Sequence, residues 1–463
     1  MKDQPGTSPA VALTIAGLSS FLTPFLGSAT TVALRAIGDE FRMSAVALTW
    51  VASAYLLSSA LFLVPFGRLA DIYGRKRLFR LGILVFTGAS VLLAGAPAAD
   101  LLLAFRAVQG VGSAMIFCTS MAILLSVMPA GERGKALGIN TAAVYCGLSA
   151  GPVLGGLLTH YLGWRSIFIF TGALGLAAYL LAAWKLKGEW AEARGERFDA
   201  PGAAFYSLSL LALAGAFSWL PRWQGVAALL CGAAGLTAFI LWELRTAQPL
   251  LDLNLFRHNT VFAFSNLAAL INYAATFAVG FLLSLYLQHI KGLAPRGAGM
   301  VLLAQPLVMA FFSPLAGRLS DRIQPRVVAS LGMGLTACGL VALAFVAAAT
   351  PLGYVAACLV ALGLGFAFFS APNTNAVMSS VEKPVYSVAS AILSTMRLVG
   401  HVLSMDVLML ILAWHLGHER MRPAVYPQFL ACMQTAFPIL AVLCLLGILA
   451  SLARGDVDRK KQN

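Results

Sequence analysis

The sequence predicts an all-α membrane protein: fourteen transmembrane helices, arranged as two similar six-helix halves with a two-helix hairpin inserted between them. Three observations predict it. Of 463 residues, 60% are hydrophobic and only 11% charged, with a mean hydropathy of +0.84, which is too apolar for a soluble chain of this length. Apolar runs of about 18 or more residues recur from end to end, each long enough to cross a bilayer. A short polar sequence is also repeated: GRLADI at Gly67–Ile72 returns as GRLSDR at Gly317–Arg322.

The elements follow in order. The start, MKDQPGTS, is polar and short, and the apolar run behind it is too long for a signal-peptide core, so it reads as a retained first span. Spans are expected at 9–34, 45–66, 78–97, 99–128, 134–161, 164–186, 201–221, 223–243, 259–289, 295–316, 326–348, 350–372, 386–416 and 425–453. Several exceed the ~20 residues a crossing needs, which permits tilt or a protruding end.

Charge fixes the expected orientation. An even number of spans puts both termini on one side. With both termini inside, the inner loops take 22 of the 32 Lys and Arg, the outer loops 8, and two lie within spans. That bias is the positive-inside rule and makes the chain a multi-pass protein of the plasma membrane with both termini cytoplasmic. The inner set includes GRLADIYGRKR at 67–77, GERGK, KLKGEWAEARGER, GRLSDRIQPR and the tail RGDVDRKK. The net charge of +14 therefore marks lipid-facing topology rather than a nucleic-acid partner, because no soluble basic face exists to bind phosphates. The seven cysteines all fall in apolar runs without a CxxC pair, and read as small packing residues.

The repeat sets the domain plan. Each copy follows an apolar run containing Pro, FLVPFGRLAD and FFSPLAGRLSD, and such internal similarity is the mark of a transporter built from two halves. Positions 71 and 321 differ by 250 residues, whereas six spans with their loops take about 190–200. Spans 7 and 8 supply the excess. The division is then 1–200, an N-terminal six-helix bundle; 201–258, the inserted hairpin and linker; and 259–463, a C-terminal six-helix bundle.

Three motifs in this order resemble the major facilitator superfamily. GRLADIYGRKR is similar to its loop motif through Gly67, Leu69, Asp71, Gly74, Arg75, Lys76 and Arg77. RAVQGVGSA in span 4 supplies Arg106, Gln109, Gly110 and Gly112, and GLSAGPVLGG in span 5 supplies Gly147, Gly151, Pro152, Gly155 and Gly156, like the antiporter motif. WVASAYLL in span 2 and PLLDLNLFRH before span 9 resemble the fourteen-span drug:proton antiporter branch. The resemblance covers nearly the whole chain. It implies the major facilitator fold, alternating access, a small-molecule substrate, protons as the coupling ion and a monomer in the lipid bilayer.

The residues themselves carry a consistent chemistry. A two-state transporter needs inner-side contacts that form in one state and break in the other. Asp71 can pair with Arg75 or Arg77, or sit at the N-terminus of a helix from the other half, with Asp321 as its counterpart. Gly67 and Gly74 allow close approach or a tight turn. The resemblance makes this a gating loop. In span 5, Gly147, Gly151 and Gly155 recur every four residues and form a smooth packing stripe, with Pro152 adding a bend. The resemblance expects this stripe against the other half.

Charges inside spans are expensive and point to function. Arg106 either takes part in proton coupling, as the resemblance implies, or bonds carbonyls of a neighbouring helix. In STMRLVGHVLSMDVLML of span 13, Arg397 and His401 stand four residues apart and share a face. Asp406 lies about 140° around the helix from His401 and is the one carboxylate well inside any span. It either carries the proton or pairs with Arg397 or Arg106. In span 1, Gly27 stands where the branch keeps an acid and Arg35 where it keeps Pro, so coupling is expected to have moved to span 13. Glu243 and His160 read as interfacial. Polar and aromatic cavity candidates are Trp50, Tyr55, Gln109, Asn140, Tyr145, Asn266, Asn272, Tyr273, Gln305, Asn373 and Asn375, with Phe277 and Met396, a mixture suited to hydrophobic or amphiphilic solutes.

These observations exclude enzyme classes: no nucleophile, metal or nucleotide motif appears, and no cofactor is implied. The leading expectation is a proton-coupled exporter of hydrophobic or amphiphilic molecules. The alternatives are a transporter of one metabolite or lipid, working also as a uniporter, and a membrane sensor, which the intact two-half repeat argues against.

Overall fold

The computed structural model describes residues 7–129, 132–220, 222–251, 253–382, 386–417 and 419–455, without the side chains of 133–135, 137, 254, 321, 386 and 387. Among the described residues all regular structure is helical. The helices are α1 (Pro9–Phe41), α2 (Ala45–Tyr73), α3 (Arg75–Ala94), α4 (Ala99–Val127), α5 (Arg133–Leu162), α6 (Arg165–Lys185), α7 (Ala200–Trp219), α8 (Trp223–Glu243), the short α9 (Asn254–His258), α10 (Thr260–Leu285), α11 (Pro295–Leu302), α12 (Ala304–Arg322), α13 (Pro325–Ala344), α14 (Leu352–Ser379), α15 (Tyr386–Leu416) and α16 (Tyr426–Ala453). With α11 and α12 as one crossing, 14 spans among the described residues are long and apolar enough for a membrane. Helix is the form such segments take in lipid, where every backbone donor and acceptor must be satisfied within the segment.

Where helices end differs from the hydropathy limits, for a physical reason. The 67–77 stretch is not a loop: α2 runs to Tyr73 and α3 starts at Arg75, leaving Gly74 alone between them. Likewise GRLSDR closes α12, and α1 continues to Phe41. Hydropathy tracks the bilayer, whereas helix continues as long as residues such as Arg, Leu and Ala allow it. Span 10 is interrupted at Leu303, between α11 and α12. Pro306 follows in the first turn of α12 and has no N–H to offer the Leu302 carbonyl. The end of α10 widens into a π turn at Tyr286–Ile290, closed by Lys291 N–H donating to the Tyr286 carbonyl at 3.1 Å.

In α1, four buried or part-buried hydroxyls bond back into their own helix, whereas Ser20 donates to Asn140 of α5 and the buried Thr23 hydroxyl has no partner among the described residues. Ser19 donates to the Ile15 carbonyl (2.9 Å), Ser28 to Pro24 (2.8 Å), Thr30 to Leu26 (2.7 Å) and Thr31 to Gly27 (2.9 Å). Each polar side chain is thereby compatible with an apolar setting.

The chain divides into two compact units. One comprises Met1–Met43, Ala47–Leu251 and Ala294–Gly299; the other Ser44–Val46, Asp252–Leu293 and Met300–Asn463. Their internal packing repeats. In the first, α1 packs on α4, α5 and α6, α3 on α4 and α6, and α5 on α6. In the second, α10 packs on α14, α15 and α16, α13 on α14 and α16, and α15 on α16. The closest approaches repeat as well. A Cβ at Gly112 would lie 2.6 Å from the Phe86 amide of α3, and one at Gly332 2.6 Å from the Gly365 carbonyl of α14. The hairpin α7–α8 packs on itself, and α7 reaches α2 through Tyr206 Oη donating to the Ala60 carbonyl at 3.0 Å and Ser207 Oγ to Leu61 at 2.9 Å.

Candidate functional site

The α2–α3 turn is a charged cluster built around one buried arginine. Arg75 is 4% exposed. Its Nε donates to Asp71 Oδ1 at 2.8 Å, one turn back on α2. Its two terminal nitrogens grip Glu192 at 2.8 and 2.9 Å, a bidentate pair, and Nη1 also meets Ser126 Oγ at 3.2 Å. Asp71 thus pairs with Arg75 and not with Arg77, which is exposed and lies 3.7 Å from Glu189. Arg68 pairs with Glu196. The backbone joins in: Arg75 N–H donates to the Trp190 carbonyl at 2.8 Å and Ala193 N–H to the Asp71 carbonyl at 3.0 Å. The Asp321 backbone lies in the last turn of α12, and its side chain lies outside the described residues.

Gly74 is required twice over. Its φ of 116° is a conformation that L side chains rarely adopt. A Cβ there would also lie 2.5 Å from the Glu189 carboxyl carbon. Gly74→Ala is expected to destabilise the turn by about 1–3 kcal/mol, read as a lower melting temperature in detergent that Glu189→Ala does not rescue, since the backbone strain remains. Gly67 differs: only Cys118 lies near its would-be Cβ, at 3.8 Å.

Arg106 is 1% exposed and fully engaged within the first unit. Its Nε donates to the Val51 carbonyl of α2 and its Nη1 to Gln109 Oε1, both at 2.8 Å. Gln109 passes the network on to Ser90 Oγ of α3 at 2.8 Å. The guanidinium lies 4.6 Å from the Tyr55 ring centroid, and the Tyr55 hydroxyl meets Ser113 at 2.7 Å. The arginine therefore cross-links α2, α3 and α4, in the carbonyl-bonding manner.

The α5 glycines Gly147, Gly151 and Gly155 face α1. Cβ atoms at Gly147, Gly151 and Gly155 would lie 2.5 Å from the Phe21 carbonyl, 2.9 Å from the Phe25 carbonyl and 2.6 Å from Ala29 Cα. Glycines four apart let two backbones touch, and here α1 is the partner. A Cβ at Gly156, one residue around the helix, would lie 2.7 Å from the Pro295 carbonyl, and one at Gly299 would lie against the carbonyl of Pro152; Pro295 and Gly299 belong to the 294–299 segment grouped with the first unit.

In the second unit, α15 presents Arg397 and His401 to the same ring of α10. The Arg397 guanidinium lies 5.7 Å and the His401 ring 5.1 Å from the Tyr273 centroid. His401 also lies over Phe277 at 4.2 Å, and Tyr273 meets Phe366 edge-on at 5.2 Å. Arg397 Nη2 donates to Thr374 at 2.8 Å. Asp406 is 2% exposed on α15, and no hydrogen bond or ion pair reaches its carboxyl among the described residues.

The remaining cavity candidates divide by environment. Trp50, Tyr145, Gln305 and Met396 are half-buried. Asn140 is buried and accepts from Ser20 at 2.8 Å. Asn266, Asn272 and Asn373 are buried among α10, α14 and α16: Asn266 donates to its own Phe262 carbonyl, Asn272 faces Cys444, and Asn373 donates to the Ser265 carbonyl. Asn375 donates to Ser320 at 3.0 Å.

Three features escaped sequence reasoning. The acids Glu189, Glu192 and Glu196 lay in a loop read only for its Lys and Arg. Arg454, 1% exposed, was counted as part of a basic tail, yet it donates to Asn373 Oδ1 (2.9 Å), Ser265 (3.2 Å), Ser451 (3.2 Å) and the Pro325 carbonyl (2.9 Å). Burial, then the charge of Arg326, pushes its guanidinium down to about 10. Glu40 accepts from Trp164 Nε1 and Arg165 Nη1, both at 2.7 Å, joining α1 to the α5–α6 turn. The one available signal was the glutamate spacing of three and four in the 187–197 stretch.

A helical chain of two compact units with matching internal packing, a charged α2–α3 turn and a buried arginine on α4 is a transporter in architecture. Comparison agrees: the Major Facilitator Superfamily matches residues 16–405 and, again, 265–463, and the chain belongs to that family. It is a multi-pass membrane transporter and not an enzyme. Among its relatives, the "Riboflavin transporter RibZ" of Clostridioides difficile (strain 630) is 30% identical over 449 residues, 96% of each chain. The "Multidrug resistance protein Stp" of Mycobacterium tuberculosis (strain CDC 1551 / Oshkosh) is 32% identical over 87% of this chain and 76% of its own. The "Cephamycin export protein CmcT" of Amycolatopsis lactamdurans is 32% identical over 94% of each. A solved bacterial homolog to the human lysosomal transporter Spinster shares the fold, with a TM-score of 0.71 at 17% identity over 98% of both chains.

Proposed function

We propose that the chain is a proton-coupled exporter of hydrophobic or amphiphilic small molecules, working as a monomer by alternating access in the plasma membrane with both termini cytoplasmic. The observation that carries the coupling is Asp406, a carboxyl buried in mid-span without a partner among the described residues. An unpaired carboxylate is costly in an apolar interior, so such a group takes up a proton when dry and releases it when water or a cation reaches it. His401 modulates it, with Arg397 and Arg106 as nearby-sequence and motif cations. The α2–α3 turn with Gly67, Asp71, Gly74, Arg75 and Arg77, and Asp321 in the second copy, forms the gate. Spans 7 and 8 act as an insertion at 201–258 between two six-helix bundles. Relatives named for multidrug resistance and cephamycin export support the direction and the amphiphilic substrate class.

A second reading has its own support. The relative named as a riboflavin transporter covers 96% of both chains, and the Tyr273–Phe277–His401 cluster beside Arg397 suits a planar aromatic solute with hydrogen-bond acceptors. One experiment separates the two. The purified protein is reconstituted in liposomes and tested with cationic, neutral and anionic amphiphiles and with riboflavin, with and without a pH gradient. Accumulation that follows the gradient across several amphiphiles is the expected result. Equilibration of a single solute, indifferent to the gradient, would make the chain a uniporter.

A further inference from the structure

We infer that the loop between α6 and α7 is a carboxylate clamp on the α2–α3 turn, in which Glu192 is the positioning residue that holds Arg75 against Asp71. The inference rests on the reading of that turn as the transporter's gate. The loop follows Lys185 and ends at Asp199, which caps α7 by accepting from Gly202 N–H at 3.0 Å. Within it, three glutamates three and four residues apart each reach the turn. Glu189 accepts from the Lys76 backbone N–H at 2.8 Å, Glu192 takes the Arg75 fork, and Glu196 takes Arg68.

The three contacts are unequal. The Glu189–Arg77 pair is 3.7 Å long with an arginine side chain 81% exposed, and contributes little. The Glu192 contact is of another kind. The Arg75 side chain is 5% exposed although that of Glu192 is 65% exposed, and the arginine's two terminal nitrogens and Nε meet two carboxylates and a hydroxyl. Asp71 alone satisfies only one edge of that guanidinium; Glu192 satisfies the other in the planar, two-bond manner that arginine favours. Two backbone bonds, Arg75 N–H to Trp190 and Ala193 N–H to Asp71, lock the loop to the turn from both sides. Any rearrangement of the Asp71–Arg75 pair must therefore release Glu192 or carry the loop with it.

The loop also touches both ends of its unit. Lys187 N–H and carbonyl both bond Thr7 Oγ1, ahead of α1, at 2.7 and 2.6 Å, and Arg197 N–H donates to Gln248 Oε1 at 2.8 Å, in the linker after α8. The hairpin α7–α8 is thus tied by its entry loop to the gate, which gives the insertion a mechanical role besides joining the halves.

The test uses the full chain in liposomes and compares wild type with Glu192→Gln, which keeps the size but not the charge. Trypsin cleavage after Lys187, Arg194 and Arg197 reports the clamp without requiring transport. Loss of a charge-assisted fork is expected to speed cleavage about tenfold, and high salt should speed it in wild type but add little in the variant. Transport turnover of a fluorescent amphiphile should change several-fold, because the pair that Glu192 positions belongs to the gate. Cleavage unchanged in Glu192→Gln overturns the clamp. Faster cleavage with wild-type turnover overturns the positioning role. If wild type moves no solute in any gradient, the transport reading fails, and cleavage alone then decides the clamp.

Discussion

Asp406→Asn is expected to leave a folded protein that exchanges solute across liposomes but no longer concentrates it when a pH gradient is imposed. Asparagine preserves shape and hydrogen-bonding capacity while removing the proton site, so the packing of α15 on α10 and α16 should be kept. With one proton per cycle, each unit of pH difference supports about a tenfold concentration ratio of solute, and the variant forfeits all of it. Counterflow of labelled solute, measured without a gradient, should persist at near wild-type rate. Retained accumulation in Asp406→Asn would make Asp406 a structural residue, and the proton site would have to lie elsewhere.

Arg454→Ala should give the largest loss of stability of any single change outside the spans. The side chain closes one end of the second unit, bonding residues of α10, α13, α14 and α16 at once. Its removal strands the Asn373 amide oxygen and the Pro325 carbonyl in a buried setting, each costing about 1–3 kcal/mol, so a total of about 2–5 kcal/mol is expected. Lysine should rescue only part of it, because an ammonium cannot fork between acceptors on different helices. Thermal melts followed by size-exclusion in detergent would measure this. A variant that melts with wild type would show that water replaces the guanidinium at no cost.

The fold was legible because the bilayer imposes it. Span number, the two-half plan and the limits of α15 at 386–416 follow from runs of apolar residues, and the 250-residue repeat reappears as matching helix pairs. Helix ends beyond the hydrocarbon were not legible, as α2 shows by continuing through Asp71 to Tyr73. The site was legible in part. Arg397 and His401 meet one ring, as their spacing of four requires. What Arg75 grips was hidden, because Glu192 lies 117 residues away and nothing local announces a tertiary fork. The α5 stripe shows the complementary gap: glycine spacing says that a backbone comes close, not whose.

The hydroxyls of α1 acquire a meaning when the chain is followed off the ribosome. The helices that cover α1 are α4, α5 and α6, and α5 begins at Arg133, 92 residues after α1 ends at Phe41. At translation rates of ~5–20 residues per second, α1 waits in lipid for on the order of ten seconds before its main partner arrives. A serine or threonine that needed a neighbouring helix for its hydrogen bond would spend that interval unsatisfied in hydrocarbon. Ser19, Ser28, Thr30 and Thr31 instead bond carbonyls one turn back in their own segment, so these four tolerate solitude, whereas Ser20 must wait for Asn140 of α5.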